Sequence, residues 1–315
     1  MRLTVTRRET MAQHVVGLTL ADLSGARLPA WMPGAHIDVT GPTGVTRQYS
    51  LCGALAQRHE WKVAVLREPD GRGGSAAIHD LVSEGTVLEV DGPRNHFRLV
   101  DSPRYLFIAG GIGIAPIVPM IDLLEHQDEF AGRRPWHLLY TGRARANMAF
   151  AERFERHADR VTTFESRSGG RVDLDPLLDI QTPTAVFCCG PEGLIEAVAE
   201  RCERNHRLEF HAERFSPIID PEAAAHGAAF TVEFTRSGQT LHVRDGQTIL
   251  EAMEDAGLAP TCSCREGVCG TCETRVLEGV PDHRDSVLEQ HERAQGETMM
   301  ICVSRSRTLR LVLDA

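Results

Sequence analysis

The stretch TCSCREGVCGTC, from Thr261 to Cys272, spaces Cys264, Cys269 and Cys272 as C-x4-C-x2-C, and a fourth cysteine, Cys302, follows near the C-terminus. Two irons bridged by two sulfides need four thiolates converging on a small rhomb, and this spacing supplies three of them from one tight loop. Gly267 and Gly270 let that loop wrap closely and turn amide N–H groups toward the sulfurs. A zinc site usually shows paired C-x2-C knuckles, and only one is present. A disulfide framework fits poorly with nine cysteines, an odd number, in a chain of 315 residues. A buried apolar thiol cluster would not need the glycines. The 2Fe–2S reading therefore leads, with Cys264, Cys269, Cys272 and Cys302 as expected ligands and Cys262, outside the spacing, as a neighbour.

Around this loop, AAFTVEFTRSGQTLHV (Ala228 to Val243) alternates as two strands about a Ser237-Gly238 turn. Thr248 to Ala256 has helical spacing and ends at Gly257, and the tail from Leu309 to Leu313 alternates again. With SCREGVCGTC, this order resembles a plant-type ferredoxin, which implies a β-grasp domain over residues 228–315. Such a domain needs only about a hundred residues, so two-thirds of the chain has another task.

The bulk numbers exclude more than they assign. A net charge of −10 gives a nucleic-acid role no electrostatic support. The N-terminal MRLTVTRRETMA has no apolar core for a signal peptide. The longest uncharged run, Tyr105 to Ile121, is too short to span a bilayer and is broken by Gly and Pro, so no membrane association is expected. Unpaired thiols beside an iron–sulfur site fit a reducing cytoplasm.

Residues 1–101 read as strands. VVGLTL, HIDVT, TRQYSL, WKVAVL, TVLEV and HFRLV are short β-rich runs between Gly, Pro and Asp turns, the pattern of an antiparallel barrel or sandwich. Within them GRGGS, Gly71 to Ser75, feeds the helical pattern AAIHDLV, and a helix N-terminus offers free amides to a phosphate. Taken alone, most such turns are only turns. From Tyr105 the period changes: YLFIAG, WHLLYTG, VTTFES, AVFCCG and LEFHAE alternate with helical stretches, which predicts a doubly wound parallel α/β sheet over residues 102–215. Two strand ends carry signals, the glycine turn from Gly110 to Pro116 and the run Cys188-Cys189-Gly190-Pro191-Glu192. Ser216 to Gly227 reads as a linker.

RxYSL, then GRGGS, then a nucleotide-type α/β pattern, then a terminal ferredoxin resembles the phthalate dioxygenase reductase family, which includes the vanillate demethylase reductases. The resemblance covers essentially the whole chain. It implies that the barrel holds FMN, with Tyr49 and Ser50 against the isoalloxazine, Arg47, Gly73, Gly74 and Ser75 on the phosphate, and Ala64 and Val65 lining the ring. No extended adenosine-holding loop is evident, which favours FMN over FAD. Motifs of the form GGIGxTP and CGPxxM bind the pyridine nucleotide in such modules, which assigns Gly111, Gly113, Pro116, Gly190 and Pro191 to the nucleotide and Cys189 to the nicotinamide. Ala115 and Leu194 depart from the usual Thr and Met. Phe215 is expected to stack on the flavin until nicotinamide displaces it, although a core Phe at a strand end is an equal reading.

On charge alone Arg143 and Arg145 lean toward NADPH, whereas members of the family mostly use NADH, and NADH is the expected donor. The implied function is a reductase that feeds a separate terminal oxygenase, a Rieske non-haem iron enzyme acting on an aromatic compound, with the reductase itself a monomer. Three alternatives stay open: service to a cytochrome P450, stand-alone diaphorase activity, and redox sensing by the cluster. From residue 228 onward nine Arg face fourteen Asp and Glu, a net of −5 that suits a basic partner.

Overall fold

Six strands, β1 (Arg2–Ala12), β2 (Val15–Ala21), β3 (His36–Thr40), β4 (Thr46–Ser50), β5 (Glu60–Leu66) and β6 (Val87–Arg94), pair in the order β4-β3-β6-β1-β2-β5, every pair antiparallel. A bridge between Leu51, just after β4, and Val63 of β5 joins the two outer strands and closes the barrel at that end. Inward residues such as Leu3, Val5, Leu18, Ile37 and Trp61 fill it, and helix α1 (Gly74–Leu81) adds Ile78 to the same core. The computed structural model describes residues 1–69, 71, 73–131 and 134–315. One strand not singled out in the sequence is added and one expected strand is lost. The charged N-terminal run is a strand whose period is interrupted by register shifts at Val5/Arg7 and Thr10/Ala12. HFRLV is not a strand; its Phe97 is buried in the core of the following sheet.

That sheet is wholly parallel. Strands β7 (Tyr105–Gly110), β8 (Trp136–Gly142), β9 (Val161–Glu165), β10 (Thr184–Cys189) and β11 (Leu208–Glu213) lie in the order β11-β10-β7-β8-β9. The chain works outward from β7 in one direction and then returns to β10 on its other side. The switch point of this doubly wound sheet therefore lies between the C-terminal ends of β7 and β10. Helix α2 (Ile117–Ala131), the single turns α3 (Ser166–Gly169) and α4 (Asp175–Leu178), and helix α5 (Glu192–Glu203) occupy the crossovers. Two apolar clusters, one on each face, hold the sheet, with Phe107 and Phe187 in one and Ile108 and Val186 in the other, as period-two alternation requires.

Contacts divide the chain into two units, Met1–Glu213 and Arg214–Ala315. In the second, β12 (Phe230–Phe234), β13 (Thr240–Val243), β14 (Glu273–Glu278), β16 (Thr298–Met300) and β18 (Arg310–Leu313) form a sheet in the order β13-β12-β18-β14-β16, while β15 (Pro281–Asp282) pairs with β17 (Arg305–Ser306). β12 and β18, the first and last strands of this unit, run parallel and meet at the centre of the sheet. Helix α7 (Ile249–Asp255) packs its Ile249, Leu250 and Met253 on this sheet and starts from a Thr248/Glu251 capping box. The stretch 216–227, read in the sequence as a linker, lies in this unit and contains helix α6 (Pro221–Ala225), capped by Asp220. Helix α8 (Gln290–Gln295) ends at Gly296 in the left-handed region.

Candidate functional site

β4 delivers Arg47, Tyr49 and Ser50 to one end of the barrel, and α1 begins beside them. A Cβ on Gly74 would stand 3.0 Å from Arg47 Cγ and 3.5 Å from its Nε, so the guanidinium lies over the first residue of α1. Gly73 has φ 83° with open space about it, and among the described residues no side chain caps α1. Free helix-terminal amides, a left-handed glycine and an adjoining guanidinium together fit a phosphate. Ser75 Oγ accepts from Glu68 N at 3.0 Å, tying the turn to the strand before it. Arg72, within GRGGS, lies outside the described residues.

Tyr49 Oη is buried without a partner among the described residues, and burial pushes the phenol up to about 12. Such an orphan is what a ligand with its own polar atoms would satisfy. Ala64 lies in an apolar patch with Cys52, Ala115 and Ala149, where β5 meets the loop after β7. Val65, its neighbour, points the other way into the barrel core. Of the two residues expected to line a ring, only Ala64 presents its side chain on this face; Val65 offers backbone, and its carbonyl already engages His79 at 3.0 Å.

At the switch point the two signal loops interlock. A Cβ on Gly113 would sit 2.1 Å from Cys189 O, and one on Gly190 would sit 2.8 Å from Gly110 Cα. Only glycine permits that approach. Gly111, at φ 54°, faces open space, while Pro116 leads into α2 and Pro191 precedes α5. Cys189 is fully buried, and burial, with Glu213 and Cys188 adding to it, holds its thiol neutral and far above the ordinary range.

Glu213, which the sequence reading did not single out, ends β11 opposite Cys189. Ser50 Oγ donates to its Oε2 at 3.3 Å, joining the barrel strand to the nucleotide sheet. Burial of the carboxyl pushes it up to about 8 against the lowering effect of Ser50. Phe215 follows two residues later, past the unit boundary and 44% exposed, which excludes the core reading of that ring. Arg145 is ion-paired with Glu155 at 2.8 Å, while Arg143 is exposed.

In the second unit Cys264, Cys269, Cys272 and Cys302 are all buried. β14 starts at Glu273 and pairs with β16 through Glu273–Met300. That pairing sets Cys272 beside Cys302, so a thiol 30 residues further along the chain reaches those of the loop. The loop takes left-handed turns at Arg265, Gly267 and Gly270, with φ 60°, 69° and 71°. Hydrogen bonds from Cys269 and Cys302, joined by the amides of Glu266 and Val268 and opposed by burial, hold the Cys264 thiol low. Glu266 N lies 3.3 Å from that sulfur. No three His, Cys, Asp or Glu side chains among the described residues share a single-ion site. A two-iron rhomb asks instead for four thiols close together, and Cys264 touches Cys269 and Cys302 while Cys272 also touches Cys302. Cys262 also reaches Cys272 and Cys302. Buried thiols, inward amides and a tight loop in which a Cβ on Gly267 would stand 2.6 Å from Val303 Cγ2 fit the cluster.

Residues 232–307 match the 2Fe-2S iron-sulfur cluster binding domain. The chain is 45% identical over 284 residues to the phenoxybenzoate dioxygenase subunit beta of Ectopseudomonas oleovorans, covering 89% of this chain and 86% of that one. It is 38% identical over 320 residues to a carnitine monooxygenase reductase subunit of Escherichia coli, covering 98% and 97%. Among solved structures, an intact type IV self-sufficient cytochrome P450 monooxygenase superposes with TM-score 0.89 at 41% identity, covering all of this chain but 41% of that one, so the chain spans about two-fifths of its length. Phthalate dioxygenase reductase, a modular structure for electron transfer from pyridine nucleotides to [2Fe-2S], superposes with TM-score 0.71 at 33% identity over 100% of this chain and 98% of that one. The barrel, the doubly wound sheet and the terminal iron–sulfur fold thus recur in one order along the full length of both chains, and this chain belongs to the phthalate dioxygenase reductase family of oxidoreductases.

Proposed function

We propose that the chain takes hydride from NADH onto FMN and passes the electrons singly through its 2Fe–2S cluster to a separate terminal oxygenase, a Rieske non-haem iron enzyme acting on an aromatic compound. The observation that carries this reading is the switch-point site. Interlocked glycine loops, a neutral buried thiol and the Ser50–Glu213 pair meet beside the barrel end that holds Tyr49 and Arg47, in a chain that also bears the cysteine quartet. When bound, FMN accepts two electrons together and releases them one at a time, which matches a hydride donor to a one-electron cluster. Arg47, Gly73, Gly74 and Ser75 hold its phosphate. Tyr49 and Ala64 line its ring, and Tyr49 Oη gains the partner it otherwise lacks. Gly111, Gly113, Pro116, Gly190 and Pro191 receive the nucleotide, and Cys189 contacts the nicotinamide as a small uncharged group that does not compete for hydride. The first unit divides into a flavin domain, 1–101, and a nucleotide domain from 102. We place the chain, as a monomer, in a reducing cytoplasm; no helix among the described residues is long and apolar enough to cross a membrane.

A second reading, service to a cytochrome P450, is favoured by the 41% identity to the self-sufficient P450. Anaerobic titration with NADH, with FMN and iron quantified on the same sample, tests the relay. Bleaching of flavin and cluster bands with one FMN and two irons per chain is expected. Bleaching of flavin while the cluster stays oxidised sinks the relay and leaves a diaphorase. Turnover with a Rieske oxygenase but not with a P450 separates the two partners.

A further inference from the structure

Asp285 is a buried carboxylate outside the cysteine quartet, and its contacts run to both pieces of chain that carry the quartet. It is 1% exposed. A lone carboxylate is costly in such a place, and this one is satisfied. Its Oδ2 accepts from Val287 N at 3.1 Å and Leu288 N at 2.8 Å, and its Oδ1 accepts from Ser304 Oγ at 3.4 Å. Arg293 Nη2 lies 3.7 Å from Oδ2 and donates to the Asp285 carbonyl at 2.6 Å. His283 Nδ1 stands 3.9 Å from Oδ1, and burial pushes that imidazole below its ordinary range, toward the neutral ring.

On one side Asp285 backs Gly267, which lies between Cys264 and Cys269. A Cβ on Gly267 would stand 3.1 Å from Asp285 Cα as well as 2.6 Å from Val303 Cγ2. The next residue, Ser286, donates its amide to Gly267 O at 2.8 Å. On the other side is Ser304, wholly buried and two residues past Cys302. Its amide donates to Met300 O at 2.9 Å and closes the turn that contains Cys302, while its hydroxyl donates to the Asp285 carboxylate and accepts from Arg284 N at 3.1 Å. The pairing of β14 with β16 sets Cys302 beside Cys272. The carboxylate of Asp285 ties the same turn to the Cys264–Cys269 half of the loop.

We propose that Asp285 is a positioning residue for the 2Fe–2S cluster: through Ser304 it holds the Cys302 turn against the Cys264–Cys269 loop, and its fixed negative charge favours the oxidised state. This inference rests on the cluster alone and not on the hydride relay or the partner proposed above. An added electron makes the ligated irons more negative, so a carboxylate packed behind their loop opposes reduction and draws the potential down. Arg293 offsets part of that field. Its side chain is 31% exposed and screened by water, whereas that of Asp285 is 0% exposed.

Two variants of the full-length holoprotein separate the charge from the link. Asp285→Asn keeps the shape: its carbonyl accepts from Val287 and Leu288 and its amide donates to Ser304 Oγ, so only the charge goes. Ser304→Ala keeps the charge and cuts the link. An anaerobic titration with dithionite and mediators, followed by absorbance and EPR, reads the cluster potential, and iron release to a strong chelator reads retention. In Asp285→Asn the potential should rise, the one-electron equilibrium moving on the order of tenfold, about 59 mV, with iron release close to that of the wild type. In Ser304→Ala the potential should hold while iron release speeds several-fold. An unchanged potential in Asp285→Asn overturns the role of the charge, and unchanged release in Ser304→Ala overturns the link. Should Asp285→Asn fail to fold, Ser304→Ala still decides the positioning role. Mediators reduce the cluster directly, so a failed transfer from NADH through flavin sinks the relay and leaves this test readable. A wild type without two irons per chain overturns both.

Discussion

Glu213 is a residue whose chemistry departs far from its sequence context. An ordinary carboxyl ionises near pH 4.5, and burial against Cys189 and Ser50 pushes this one up to about 8. The folded chain therefore binds a proton that the unfolded chain has released across that interval, so ionisation costs stability progressively as pH rises from about 4.5 to about 8. Glu213→Gln should remove the effect. Its Tm should match the wild type near pH 4 and exceed it by a few degrees (~2–4 °C per kcal/mol for a body this size) at pH 8.5; a constant gap across the titration would refute the assignment. The cysteines make a second residue-scale test. Cys302→Ser should lose the two irons and the visible absorbance, while Cys262→Ser should keep both, since Cys262 stands outside the ligand spacing although its thiol touches two ligands. The convergence of the four buried thiols was legible because three of them stand close together in one loop of the sequence. The Ser50–Glu213 pair was not, because its partners are 163 positions apart and neither motif names the other.

At the scale of elements, the fold uses strand pairing to finish sites that loops begin. β14 and β16 set Cys302 beside Cys272, and the parallel pair β7 and β10 brings Gly113 against Cys189. Glycine at 113 is thus a packing requirement of two backbones. Gly113→Ala should destabilise the chain by about 1–3 kcal/mol, as overpacking does, and raise KM for NADH more than it lowers kcat with saturating donor. Differential scanning calorimetry and steady-state kinetics read both effects, and an unchanged KM would detach this loop from the nucleotide. The sequence was less informative where strand geometry departs from strict alternation. The bulges in β1 break its period, so a charged run concealed a barrel strand. The faces of β5 were also missed: Ala64 and Val65 were read as one lining, yet adjacent strand residues point to opposite faces, one toward the site and one into the barrel.

For the whole molecule, the division at Glu213/Arg214 separates the chemistry as well as the contacts. Every residue assigned to FMN and nucleotide, apart from Phe215, lies before it, and all four cluster cysteines lie after it, each half with its own apolar core. A chain ending at Glu213 should therefore keep the barrel and the doubly wound sheet and still pass hydride equivalents from NADH to ferricyanide at a rate within a few-fold (roughly) of the full chain. It should lose all reduction of a one-electron protein acceptor that draws on the cluster. The complementary piece, residues 214–315, should assemble two irons without flavin, because its thiols and the amides around them are all its own. Comparing ferricyanide and protein-acceptor rates for the shortened chain decides the matter. If both fall together, Phe215 or the residues after it belong to the hydride site; if only the second falls, the boundary marks where two-electron chemistry ends and one-electron transfer begins.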